Sequence, residues 1–217
     1  MTDINVSASH RLFQAARDAG VRRLVHLSSA GVYGHGERLP ETAPLAPLPG
    51  FLYVEHKAQL ERLLEADVPA CVRLRPHLIL GPNAQPLLRQ LLQFPFYPAL
   101  PLPCPRLQCV HEDDVARAVL LAIESEVRGP FNLAAEDDFS YRDIIRRRHR
   151  HALPVPQGLA RAGLHAAWRL TGWGGEPAWI DGLARTLTLD CRRAARDLGW
   201  HSRYDSAAAI AAVETRI

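Results

Sequence analysis

Val25-His26-Leu27-Ser28-Ser29-Ala30-Gly31-Val32-Tyr33-Gly34 and, after a loop, Tyr53-Val54-Glu55-His56-Lys57 decide how this chain reads. The first stretch is a short apolar run ending in two hydroxyls and a glycine-bearing turn, the pattern of a parallel strand buried on both faces. In the second, Tyr53 and Lys57 are four residues apart, which on a helix puts phenol and ammonium on one face, one turn apart. Lys57 is the single lysine among 26 basic residues. A compact three-donor ammonium in a chain otherwise committed to guanidinium marks a place where the two differ chemically. A phenol titrates near about pH 10 in water, and an adjacent cation favours its ionised form. The pair therefore reads as a tyrosine prepared to exchange a proton. By itself the spacing also fits a surface pair on an amphipathic helix, so the neighbouring sequence has to decide.

Outward from these stretches, helix and buried strand alternate. Residues 5–19 carry apolar side chains at Val6, Leu12, Phe13, Ala16 and Ala19 and close at Gly20, which predicts a helix with a glycine cap. Residues 31–50, rich in Gly and Pro, read as loop. A helix follows over 53–66, then a second buried strand over 70–80 that closes on Gly81-Pro82. Residues 86–94 fit a helix, and 94–105, with five prolines, read as an irregular lid or wall. Residues 113–124 form a strong helix with Val115, Ala118, Val119 and Ala122 on one face, and 131–134 a third short strand. The remainder reads as mainly helical, with breaks at 153–157 and 172–177. This alternation predicts an α/β protein with a parallel sheet.

Composition narrows the function classes. Forty-seven per cent hydrophobic and 23% charged residues are ordinary for a globular protein. A net charge of +3 over 217 residues creates no strong field for nucleic acid or anionic membrane. The basic run at 146–151 reads as a solvated helix end rather than a phosphate-binding patch. Cys71, Cys104, Cys109 and Cys191 lack zinc or disulfide spacing and read as reduced thiols, and the histidines form no ligand set, so no metal is expected. Without a signal peptide pattern or an apolar run of about 18 residues, the expectation is a cytoplasmic protein.

In order along the chain, Asn5-Val6, the 25–34 stretch, Tyr53-x-x-x-Lys57, Leu74-Arg75-Pro76 running to Gly81-Pro82, Val110-His111-Glu112-Asp113-Asp114-Val115-Ala116 and Asp190 to Leu198-Gly199-Trp200 resemble an extended short-chain dehydrogenase/reductase of the NAD-dependent epimerase/dehydratase family. The resemblance implies a partial Rossmann-like parallel sheet, the C-terminal half of the doubly wound domain, with a small, mainly helical substrate-binding lobe. Residues 1–82 would form the partial Rossmann domain, 83–108 a segment of the lobe, 109–135 a returning helix and strand, and 136–217 the rest of the lobe. It makes Ser29 the catalytic hydroxyl, Tyr53 the general acid/base and Lys57 its partner on the nicotinamide ribose. Asn5 would hold a proton-relay water or a helix distortion behind Lys57. Pro76, His77 and Leu78 would line the nicotinamide of NAD or NADP. A homodimer through helices 5–19 and 53–66 is implied as well.

Two departures qualify the resemblance. The glycine-rich pyrophosphate turn and the residue that selects NAD over NADP are not among the 217 residues. The expectation is a chain truncated at its N-terminus relative to the family, inactive and weak in dinucleotide binding by itself. Start-site artefact, a separate chain and a real loss all stay open as its cause. Sugar-nucleotide members carry Asn where Leu78 stands and Arg where Leu107 stands. The resemblance therefore tilts towards an apolar alcohol or ketone, such as a 3-hydroxysteroid, with a nucleotide-sugar epimerase or dehydratase as the alternative. A fragment acting only in protein–protein association is the non-enzyme alternative.

Overall fold

The computed structural model describes residues 3–93, 95–149, 151–171 and 178–213. A π-helical turn, Asp3–Ala8, leads into α1 (Ser9–Asp18) and β1 (Val25–Leu27). A 3₁₀ turn, Ala30–Tyr33, precedes β2 (Gly36–Leu39) and α2 (Leu52–Asp67). Then come β3 (Val72–Pro76), β4 (Leu78–Leu80), α3 (Pro86–Gln93) and β5 (Phe96–Pro98). The chain continues through β6 (Cys109–His111), α4 (Glu112–Glu124), β7 (Gly129–Leu133), α5 (Tyr141–Arg148) and β8 (Leu153–Val155). It ends in α6 (Gln157–Thr171), α7 (Ala178–Leu183), β9 (Leu187–Leu189), α8 (Arg192–Leu198) and α9 (Ser206–Ala212).

The central sheet is parallel and ordered β1-β3-β7, with Val25 opposite Val72 and Leu74 opposite Phe131. Every residue of β3 is buried, which is why its sequence shows no clean alternation of apolar and polar. On α4, Val115, Ala118 and Ala122 pack with Val72, Leu74, Phe131, Leu133 and Trp200 in one core cluster. On α2, Leu60 and Leu64 pack with Val68 and Cys71. Burying each Leu here stabilises the fold by roughly 1.5–3 kcal/mol before entropy is counted. The α/β architecture with a parallel sheet is the one expected.

Four local expectations change. The segment 31–50 is not all loop: Ala30–Tyr33 forms a 3₁₀ turn, and β2 pairs in parallel with β9. The partner lies about 150 residues away, beyond the reach of any local periodicity. The strand expected over 70–80 divides at His77. Pro76 ends β3 opposite Leu133, the His77 amide still donates to the Leu133 carbonyl at 2.9 Å, and β4 then joins β6 in a separate ladder. The proline-rich wall after residue 94 contains β5, paired with β8, where a break was expected. A two-stranded ladder consists only of edges, so it tolerates Pro98 and Pro154. The helix expected over 5–19 begins at Asp3 and is π-helical over Asp3–Ala8 before it turns α-helical at Ser9. Residues 94, 150 and the break at 172–177 lie outside the described residues.

All four cysteines are free. Among the described residues no group of His, Cys, Asp or Glu is arranged to hold a metal ion, and no helix is long and apolar enough to cross a membrane.

Candidate active site

The three sequence candidates for proton transfer meet at one wall of a cavity of about 570 Å³. Ser29 leaves the end of β1 in an extended conformation, and its oxygen accepts the Gly31 amide at 3.1 Å, capping the 3₁₀ turn. That turn lies directly on α2: a Cβ on Gly31 would sit 2.4 Å from Val54 Cγ1. Glycine at 31 is therefore what brings Ser29 against the first turn of α2, where Tyr53 stands. The next bend needs Gly34, whose φ of +77° and contact with the Ala46 carbonyl leave no room for a side chain.

Tyr53 lines the cavity and is 44% exposed as a residue. Burial raises the phenol's pKa and a hydrogen bond with Ser29 lowers it. In this arrangement the Lys57 Nζ is 5.8 Å from the Tyr53 ring centroid and donates to the Leu27 carbonyl at 2.6 Å. Burial lowers the ammonium's pKa, and the charge of Glu61 opposes it.

Pro76, His77 and Leu78 line the same cavity. His77 is buried, and desolvation lowers its pKa to about 4, against a raising contribution from the Leu187 carbonyl. Asn5 does not line the cavity. It lies exposed within the π-helical turn, which packs against α2.

Sequence reasoning missed most of the other walls. Phe51 and Trp179 face each other at 5.3 Å between ring centroids and, with Leu48 and Ala178, form an apolar cluster at one side. Leu107, Leu183 and Leu187 extend the apolar lining. Glu112 and Asn83 supply a polar rim, the Glu112 carboxylate accepting the Asn83 amide at 3.1 Å and its side-chain nitrogen at 2.8 Å. Trp179 and Leu183 come from α7, far along the chain, and no local pattern tied them to Tyr53.

A buried charge network lies behind Ser29. Arg75 grips Glu61 with Nε at 3.0 Å from each carboxylate oxygen and Nη2 at 2.5 Å. Arg75 Nη1 also donates to the Tyr33 hydroxyl at 2.6 Å, and that hydroxyl donates to Asn132 Oδ1 at 2.8 Å. Tyr33, read from sequence as a turn residue, is thus a buried strut, and desolvation raises its pKa to about 12.

Residues 1–93 match the description of the NAD dependent epimerase/dehydratase family. This segment belongs to that family. Over 189 residues the chain is 32% identical to a UDP-glucose 4-epimerase of Streptomyces lividans, covering 73% of this chain and 56% of the relative. It is 37% identical over 94 residues to a 4-hydroxy-2-methyl-3-oxo-4-farnesyl-3,4-dihydroquinoline-1-oxide ketoreductase of Stigmatella aurantiaca, covering 41% and 28% of the two chains. The crystal structure of the Bordetella bronchiseptica enzyme WbmG in complex with NAD and UDP superposes with a TM-score of 0.72 at 21% identity, over 97% of this chain and 64% of that one. That likeness shows the fold alone, a Rossmann-like α/β arrangement. The chain spans about half the length of the curated relatives that it matches over most of its own length.

Proposed function

We propose that this chain carries the proton-transfer half of an NAD(P)-dependent oxidoreductase whose substrate is an apolar alcohol or ketone. The observation behind the reading is the convergence of Ser29, Tyr53 and Lys57 on one wall of a largely apolar cavity. Tyr53 would move the proton on the substrate oxygen, and Ser29 would orient that oxygen by hydrogen bond. Lys57 would leave the Leu27 carbonyl for the nicotinamide ribose, where its charge reaches the phenol. When bound, the nicotinamide would supply or accept hydride at the substrate carbon.

The residues present fit one end of that cofactor. Lys57 and Tyr53 offer donors for the ribose, and Pro76, His77 and Leu78 offer a flat wall for the nicotinamide. No glycine-rich cradle for the pyrophosphate is among the 217 residues, so the reading expects weak dinucleotide binding and no turnover from this chain alone. Leu78 and Leu107, standing where the resemblance expects Asn and Arg, line the cavity and support the apolar substrate, as does the relative named as a ketoreductase of a farnesylated quinoline. The Streptomyces epimerase favours the second reading, a nucleotide-sugar epimerase or dehydratase. A homodimer through helices 5–19 and 53–66 belongs to the same reading; Leu12, on the first, is 68% exposed.

Titration calorimetry of the 217-residue chain with NAD and NADP is expected to give dissociation constants weaker than about 1 μM. In a chain extended to include the glycine-rich turn, a 3-hydroxysteroid should turn over faster than UDP-glucose. There Tyr53→Phe should cost about 10²–10⁴-fold in kcat with an unchanged circular dichroism spectrum. Faster turnover of UDP-glucose would transfer the assignment to the second reading.

A further inference from the structure

Helix α2 meets the end of β1 on three successive turns. Tyr53 shares the cavity wall with Ser29, Lys57 Nζ donates to the Leu27 carbonyl at 2.6 Å, and Glu61 accepts from Ser28 Oγ at 2.5 Å. Positions 53, 57 and 61 form one row on the helix, and residues 27–29 are consecutive on the strand end. The first two contacts lie in the cavity wall. The third runs from Ser28, which also borders the cavity, back to Glu61 beneath it, with Ser28 2% and Glu61 1% exposed.

This third contact is anchored from every side. The Ser28 amide donates to the Leu74 carbonyl of β3 at 2.7 Å. Glu61 is held by Arg75, also on β3, and Arg73 Nε stands 3.6 Å from its carboxylate. Strand end, helix and central strand therefore close a ring of bonds through Ser28 and Glu61. The adjoining Leu27 carbonyl and Ser29 hydroxyl take their places from this ring, because a trans peptide holds neighbouring Cα atoms about 3.8 Å apart.

We infer that Ser28 and Glu61 are positioning residues: they set the register of β1 on α2 and so fix where Ser29 and Lys57 stand relative to Tyr53. The inference rests on the proposed roles of those three residues. Its physical content is a division of labour. Lys57 exchanges partners when a ligand enters, and the buried Ser28–Glu61 contact keeps the strand end in place while it does so.

The single lysine makes this testable without turnover. Acetylation of Lys57 can be followed by peptide mass mapping, with no other lysine to confuse the signal. Ser28→Ala deletes the hydroxyl and leaves the Glu61–Arg75 pair intact. Its expected result is a rise of about fivefold in the Lys57 acetylation rate, the ratio that a typical lost hydrogen bond sustains, as the strand end loosens and releases the ammonium. Ser28→Thr, which keeps the hydroxyl, should return the parental rate. If Ser28→Ala does not fold, Ser28→Cys, a weaker donor of similar size, carries the same comparison. An unchanged rate in the Ala or Cys variant, or a Thr variant as fast as the Ala one, overturns the inference. Where the extended chain turns over, Ser28→Ala should lower kcat and raise the dinucleotide KM. A parent that neither binds dinucleotide nor turns over would defeat the proposed function, yet the acetylation comparison would still be decisive for the register.

Discussion

Both ring nitrogens of His77 are committed. Nδ1 accepts the Leu78 amide at 2.8 Å, so the ring proton sits on Nε2 and is donated to the Leu187 carbonyl at 2.9 Å. A second proton would cost the Nδ1 contact and place a charge in a buried site. His26 is similarly held down to about 4, first by burial and then by the charges of Lys57 and Arg73, with Glu61 opposing. Because the folded pKa lies below the unfolded value of about 6.5, the unfolded chain binds more protons between the two. Stability should therefore be full above about pH 6.5 and fall as pH drops towards about 4, by roughly 3 kcal/mol for each imidazole. Urea midpoints measured at several pH values should show this slope, and His77→Gln should remove its share. At this scale the sequence made Ser29, Tyr53 and Lys57 legible because their spacing is local. It did not reveal Tyr33 or Glu61 as network members. Nothing near Tyr33 signals an arginine reaching it from β3, and nothing near Glu61 signals the Arg75 that pairs with it.

Helix α4 illustrates the element scale. Its face of Val115, Ala118 and Ala122 was readable from periodicity, and its acidic first turn suits the positive end of the helix dipole. Asp114 does more than favour the dipole. Its side chain is buried, accepting the Arg203 amide at 2.8 Å, the Tyr204 amide at 3.2 Å and Arg117 Nη2 at 2.8 Å. The same residue's carbonyl takes the Trp200 indole at 2.8 Å. One carboxylate thus docks the segment that follows α8 onto the first turn of α4. Asp114→Ala should cost about 3–5 kcal/mol, the range for removing one partner of a buried charge pair, and hydrogen exchange should accelerate at Arg203 and Tyr204 before the rest of the core. Elements with strong internal periodicity were foreseeable. The ladders β2–β9 and β5–β8 were not, since each strand is short, contains polar residues or proline, and takes its identity only from a distant partner.

Across the whole molecule, the cavity is the place where distant segments converge. Ser29 and Tyr53 come from the sheet side, Asn83 and Leu88 from the chain after β4, Glu112 from α4, and Trp179 and Leu183 from α7. A ligand that fills this space binds the folded state alone. At 100 times its dissociation constant it should add about 2.7 kcal/mol to the unfolding free energy, seen as a higher Tm. Trp179, at the wall, should report the same event by a change in fluorescence that is lost in Trp179→Phe.

By itself the sequence determined the parallel α/β class, the two crossover helices α2 and α4, and the Ser29, Tyr53 and Lys57 set. These follow from runs, periods and spacings that span a few turns of chain. Only the tertiary structure decided that Lys57 rests on the Leu27 carbonyl, that Glu61 and Arg75 close a charge network behind Ser29, and that α7 lines the same apolar cavity as Tyr53. The reason is distance along the chain. Burial and charge pairing join residues tens to well over a hundred positions apart, and no local pattern carries that information.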